Sequence, residues 1–199
     1  MTRSGLVILW LSLLFSTVVG LFWYNDWVYQ LPTPVPLHYK PVSMGAQIDL
    51  GDQIGTLEEK PVFLHFYNPD CPCSRFNTTH FRSLVRSYSD QIQFAVVVLT
   101  DKNYSEKYIQ KKIGLELSVS FDRSLANRCG VYATPQAVIL DSAQKLFYRG
   151  NYNASRYCTD EKTAYAQIAL EGLFSTQVLP DIDQKALTAY GCTLPVCKN

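Results

Sequence analysis

The chain has 199 residues, 47% of them hydrophobic, and a formal net charge of +1. With no basic tract and no aromatic–basic interleaving, nucleic acid is excluded as the expected partner. Six cysteines are too few at this length for a disulfide-built mini-protein, so one domain with an ordinary hydrophobic core is expected once any membrane segment is set aside.

The first element is "GLVILWLSLLFSTVVGLFWY", residues 5–24, which carries no charge. That length suits a hydrocarbon core roughly 30 Å thick. Arg3 precedes it and Asp26 follows, a bias that places the N-terminus inside, while Trp23, Tyr24 and Trp27 suit the far interface. A cleaved signal peptide is the competing reading, but no convincing small-x-small cleavage site follows. The expectation is a cytoplasmic N-terminus (1–4), an uncleaved transmembrane signal anchor (5–24) and a proline-rich linker (25–44). Within that linker "LPTPVPLHYKP" (31–41) reads as an extended spacer. Residues 45–199 form the globular domain, outside the cytoplasm, where disulfides persist.

Inside that domain "PVFLHFY" (61–67) reads as a strand buried on both faces. Phe81, Leu84, Val85 and Tyr88 recur at helical spacing, "QFAVVVLTD" (93–101) is a second buried strand, and residues 104–112 read as a polar helix. "TPQAVILD" (134–141) and "KLFYRGNY" (145–152) form a strand pair, and 160–174 an amphipathic helix. The order β-α-β-α-β-β-α implies an α/β fold with a central mixed sheet flanked by helices.

Two blocks carry a family resemblance. "VFLHFYNPDCPCS" resembles the first strand, aromatic pair and helix-start cysteine of thioredoxin-like proteins. "FDRSLANRCGVYATPQAVILDSAQKLFYRGNY" resembles their segment around a cis-proline. Together they cover roughly residues 60–152. The chain is most similar to membrane-anchored TlpA/ResA-type thiol–disulfide oxidoreductases. The resemblance implies a thioredoxin-like domain over 45–199 with a C-terminal helical extension, and a redox activity that needs no cofactor and no metal.

By that resemblance Cys71 takes the place of the nucleophile. A thiol at a helix N-terminus faces unpaired N–H groups and the positive dipole end, which favour thiolate. The motif departs at the second cysteine: C-x-x-C would place it at 74, where this chain has Ser74, and Cys73 falls one residue early. Cys73 is the nearest candidate for resolving a mixed disulfide, although bridging residues i and i+2 across Pro72 strains the geometry. Cys129 and Cys158 are the other candidates. His65, six residues before Cys71, resembles in position the buried acidic group that relays protons in thioredoxins. A histidine there exchanges protons near neutral pH at its ordinary pKa of about 6.5, or else is a core histidine. By resemblance Pro135 is the cis-proline and the Thr134 backbone docks substrate. Cys158, Cys192 and Cys197 lie outside the matched blocks, and a structural bridge from Cys158 to Cys192 or Cys197 would pin the tail.

The function these features imply is disulfide exchange on protein substrates by a single-pass protein of the bacterial inner membrane, its domain in the periplasm. Its electron partner would be a membrane thiol reductase or oxidase. Copper delivery through Cys71 and Cys73, soft ligands suited to Cu(I), and a non-catalytic binding module are the alternatives. A thiol peroxidase is disfavoured, because Asn68 stands three residues before Cys71 where that motif has threonine.

Overall fold

A computed structural model describes residues 3–29, 31–51, 54, 60–155 and 157–194. It divides into two units, Met1–Leu31 and Pro32–Asn199.

The first unit is one helix, α1 (Arg3–Tyr29), whose apolar part Arg3–Trp27 is long enough to cross a membrane. At 1.5 Å per residue those 25 residues span about 37 Å. The helix runs past the expected end at Tyr24 and carries Asp26 in its last turn.

In the second unit, five strands form a mixed sheet in the order β3-β2-β1-β5-β6. They are β1 (Val62–Tyr67), β2 (Gln93–Val98), β3 (Ser118–Ser120), β5 (Gln136–Leu140) and β6 (Leu146–Gly150). β1, β2 and β3 run parallel, whereas β5 pairs antiparallel with both β1 and β6. A separate two-stranded sheet pairs β4 (Ala133–Thr134) with β7 (Cys192–Thr193). The Thr134–Pro135 peptide is cis.

Strand alternation sorts the core into two layers. Phe63 and Tyr67 of β1, Phe94, Val96 and Val98 of β2, and Ala137 and Ile139 of β5 pack on one face. The helices covering that face are α2 (Pro72–Tyr88), α3 (Glu106–Ile113) and α5 (Tyr165–Ser175). Val62, Leu64 and Phe66 point the other way, onto α4 (Ser124–Cys129) and the buried Ile48, Leu50 and Ile54. The topology is thioredoxin-like: a parallel strand pair, a cis-proline, then an antiparallel hairpin, with helices on both faces.

Helix signals explain the element bounds. Pro72 begins α2, where its missing N–H costs nothing. Ser105 caps α3 by accepting from the Tyr108 amide, and Gly114 ends it in the left-handed region. α5 starts later than the expected residue 160, because Glu161–Thr163 form a 3-10 turn and Ala164 leaves helical geometry.

The spacer expectation is corrected. From Thr33 onward the proline-rich segment is attached to the domain rather than standing off it. The Thr33 amide donates to Ala189 O at 2.8 Å, the Tyr39 hydroxyl to Gly130 O at 2.9 Å, and Arg149 to Val42 O at 2.9 Å. Also unforeseen were a short helix α6 (Gln184–Leu187) and strand β7 in the tail.

Phe81 of α2 is fully buried, with ring neighbours Phe63, His65 and Phe94. Phe81→Ala should destabilise the domain by roughly 3–5 kcal/mol, read by urea unfolding followed by circular dichroism. A loss below about 1 kcal/mol would contradict this packing.

Candidate active site

Cys71 stands at the junction of β1 and α2, as the N-cap residue with extended φ −88° and ψ 124°. Its amide donates to Asn68 O at 3.1 Å, and its carbonyl accepts from the Arg75 amide at 3.3 Å. The preceding loop is held from outside. The Asp70 carboxylate accepts from Thr100, Lys102 and Tyr104 at 3.2, 3.0 and 2.8 Å, and Lys112 reaches Pro69 O at 2.8 Å. Partial burial raises the Asp70 carboxyl pKa, but the bonds from Tyr104 and Lys102 outweigh it and hold the group below its ordinary range. Its charge is therefore already engaged beside the sulfur, and no acidic residue occupies the first turn of α2. The helix start remains favourable to a Cys71 thiolate.

The partner of Cys71 is a finding that sequence reasoning missed. Cys71 is disulfide-bonded to Cys192, with Cα atoms 6.7 Å apart. The expected Cys71–Cys73 bond is not formed, because Cys73 lies inside the first turn of α2 while the Cys71 sulfur reaches across to the tail. Cys73 nonetheless keeps its thiol close by: the sulfurs of Cys71, Cys73 and Cys192 all lie within 4.8 Å of one another. Ser74, at the position of a second C-x-x-C cysteine, is fully buried, and its hydroxyl accepts from the Asn68 amide at 3.2 Å.

The cis-proline loop lies against this centre. Cys71 Sγ is 3.9 Å from the Thr134 carbonyl oxygen. Directly beyond, β4 pairs antiparallel with β7, Thr134 opposite Cys192 and Ala133 opposite Thr193. The resemblance had assigned this edge to substrate; in the structure the tail holds it.

The expected bridge from Cys158 to Cys192 is also replaced, since Cys192 is taken by Cys71. Cys158 keeps a thiol that donates to Asn77 Oδ1 at 3.3 Å, and Cys197 lies outside the described residues. Burial pushes the thiol pKa of Cys129 and of Cys158 up to about 12. Cys129 packs in the apolar layer with Leu125 and Val131. A thiol raised that far is a poor source of thiolate near neutral pH.

His65 does not fit the proton-relay expectation. It is fully buried, stacked on Phe81 with ring centroids 4.1 Å apart, and its Nδ1 shares a 2.7 Å hydrogen bond with the Tyr152 hydroxyl. Burial pushes its pKa down to about 3, and burial also holds the Tyr152 phenol neutral. A group neutral from pH 4 upward does not relay protons near neutrality. It is a core histidine, bonded through Nδ1 to a phenol rather than to a backbone carbonyl, with Nε2 buried and without a hydrogen-bond partner among the described residues.

With this geometry in place, the comparisons are informative. The chain belongs to the family described as "Domain of unknown function (DUF6436)", whose model matches residues 44–193. No curated protein matches. Among solved structures, an uncharacterized conserved protein from Geobacillus kaustophilus is similar at 17% identity and TM-score 0.56, covering 75% of this chain and 92% of that one. A hypothetical protein from Sinorhizobium meliloti is similar at 14% identity and TM-score 0.55, covering 71% of this chain and 90% of that one. The thioredoxin domain of a thiol-disulfide oxidoreductase from Bacteroides vulgatus gives 14% identity and TM-score 0.48, over 61% of this chain and 98% of that one. At these identities the likeness concerns the fold.

The His65 environment yields a pH prediction. Its folded pKa lies below the unfolded value of about 6.5, so the unfolded chain binds the extra proton between the two. The stability contribution is fully present above pH 6.5 and is lost as pH falls toward 3. Between pH 7 and pH 5 the loss should be on the order of 2 kcal/mol. Half-buried His80, its pKa also lowered by burial, adds a loss of the same sign. The difference between wild type and His65→Gln isolates the His65 part. Equal pH slopes for the two proteins, by urea unfolding at pH 5 and 7, would refute the assignment.

Proposed function

We propose that the protein is a membrane-tethered thiol–disulfide oxidoreductase acting on protein disulfides outside the cytoplasm, with Cys71 as nucleophile and Cys192 as the second redox sulfur. The observation that carries this reading is the Cys71–Cys192 disulfide itself. It joins a helix-start cysteine to a strand laid on the cis-proline edge, so the two sulfurs meet where a substrate sulfur would have to arrive.

In the reducing direction the Cys71 thiolate attacks one sulfur of a substrate disulfide. The substrate S–S bond breaks, a Cys71–substrate bond forms, and the first substrate thiolate leaves and takes a proton from solvent. The Cys192 thiolate then attacks Cys71 Sγ, which closes the Cys71–Cys192 bond and releases the second substrate thiol. Two electrons pass from the protein dithiol to the substrate; the oxidising direction is the reverse. The dithiol is regenerated by a thiol reductase, or the disulfide by an oxidase, in the same membrane. α1 is the tether on this reading, and the charge bias of Arg3 before it and Asp26 near its end supports a domain in the periplasm of a bacterial inner membrane.

A second reading, copper delivery, is favoured by one observation: three sulfurs within 4.8 Å form a soft ligand set once the disulfide is reduced. Cu(I) bound as cargo by Cys71, Cys73 and Cys192 would show as a one-equivalent titration that withstands a Cu(I) chelator. The Cys73→Ser variant separates the readings, because it should weaken copper retention and leave disulfide exchange largely intact.

Three single variants test the redox assignment. Cys71→Ser should abolish exchange with a protein disulfide. Cys192→Ser should form a mixed disulfide and hold it, with steady-state turnover down at least tenfold. Cys73→Ser should turn over within about threefold of wild type, and a trapped intermediate there instead would return the resolving role to Cys73.

The tether has its own check. The full chain should fractionate with membranes and resist extraction by high salt and alkaline carbonate. Quantitative release by carbonate would remove the anchor.

A further inference from the structure

The tail does more than supply a sulfur. β4 is two residues long and ends at the cis-proline, so it offers a single short backbone edge beside Cys71, and β7 occupies it. Gly191 makes that occupancy possible. Its φ of +148° is one that side chains rarely adopt, and a β-carbon there would lie 2.3 Å from the Thr134 carbonyl oxygen. Behind it the chain is anchored: Asn151 Nδ2 donates to Lys185 O at 2.7 Å and to Thr188 O at 2.5 Å, and the Tyr190 amide donates to Asn151 Oδ1 at 3.4 Å. Thr33, from the membrane-proximal segment, clamps the turn, its hydroxyl donating to Gly191 O at 3.0 Å. The base of the tail is fixed, and past Gly191 it is held by the short ladder on β4, by the disulfide and by packing of Leu194 against the second core layer.

We propose, building on the oxidoreductase reading, that this protein resolves its mixed disulfides by strand exchange on β4. An extended cysteine peptide docks on β4 when β7 has left it. The return of β7, pivoting at Gly191, displaces the peptide backbone and brings Cys192 to Cys71 Sγ. Docking and resolution are mutually exclusive occupancies of one edge. The ligand class follows from the same wall: a peptide that takes the register of β7 and the backbone conformation of Gly191 needs glycine immediately before its cysteine, because the Thr134 carbonyl excludes a β-carbon there.

The experiment uses the reduced full chain in detergent. Its probes are the peptide Ala-Tyr-Gly-Cys-Thr-Leu, activated as a 2-pyridyl disulfide, the same peptide with valine replacing glycine, and a small aromatic disulfide. Pyridinethione release reads docking and attack, and peptide thiol release reads resolution. The glycine peptide should react at least tenfold faster than the valine peptide. Gly191→Val, which bars β7 from β4, should speed attack by the glycine peptide about tenfold and slow resolution about tenfold. Opposite signs in the two steps distinguish displacement of the tail from general loss of fold. Thr33→Val, which touches neither β4 nor a sulfur, should speed docking two- to threefold. Both steps unchanged in Gly191→Val, both slowed, or equal rates for the two peptides overturns strand exchange while leaving the oxidoreductase reading standing. Failure of every disulfide, the small aromatic one included, to react at Cys71 removes the oxidoreductase reading and the inference with it.

Discussion

The antiparallel pairing of Thr134 with Cys192 is the contact on which the site is organised. A two-residue strand has little stability of its own, so β4 and β7 persist because other elements hold each of them in place. β4 is fixed by the cis-proline and by β5, which it precedes directly and which sits inside the five-stranded sheet. β7 is fixed by the disulfide and by a tail whose base is bonded to Asn151 at the end of β6. The sheet therefore reaches the reactive sulfur from two sides. β1 leads into Cys71, and the β5–β6 hairpin carries both the docking edge and the anchor of its occupant.

Burial by itself does not sort the sulfurs. The thiols of Cys129 and Cys158, pushed to about 12, carry on the order of a thousandfold less thiolate near neutral pH than an ordinary cysteine. Cys71 is as buried as Cys129 and more buried than Cys158, but its surroundings differ in kind. It caps a helix whose first turn lacks acidic residues, and the carboxylate of the preceding residue, Asp70, is bonded to Lys102. Depth alone does not set reactivity here; what counts is which groups replace water around the sulfur.

Much of this was legible in the sequence. The alternation in "VFLHFY" and "QFAVVV", the turn between Leu140 and Leu146, and the Thr-Pro after Gly130-Val131 set the sheet and its cis-proline loop. Pro72 after Cys71 marked the helix start. What stayed hidden was long-range. Nothing local in "YGCTLPVC" says that Cys192 crosses 121 residues of sequence to reach Cys71. The nearest signal was the glycine before that cysteine, a residue that permits close backbone approach but names no partner. His65 misled for a related reason. Its distance from Cys71 along the strand suggested a relay, yet the α2 face of β1 is an aromatic layer, and only the packing of Phe81 and Tyr152 around the ring shows how completely water is excluded. The proline spacing of residues 31–41 suggested an extended spacer, but the segment turns at Leu37 and His38 and is bonded along the domain.

The departure from C-x-x-C has a structural consequence that reaches beyond one residue. With the second sulfur on the same helical turn, resolution needs no movement of the backbone. Here the equivalent position is Ser74, committed to the Asn68 amide, and the second sulfur has moved to a strand at the far end of the chain. On the strand exchange proposed above, resolution depends on a chain segment arriving, through the ladder, the Gly191 turn and the Thr33 clamp as much as through thiol chemistry. The clamp comes from the segment that follows α1 in sequence, so the bonds that settle the tail also settle the start of the domain. On the proposed reading, a redox centre built this way ties its chemical state to backbone order at both ends of the domain, whereas a local C-x-x-C pair leaves both ends independent of it.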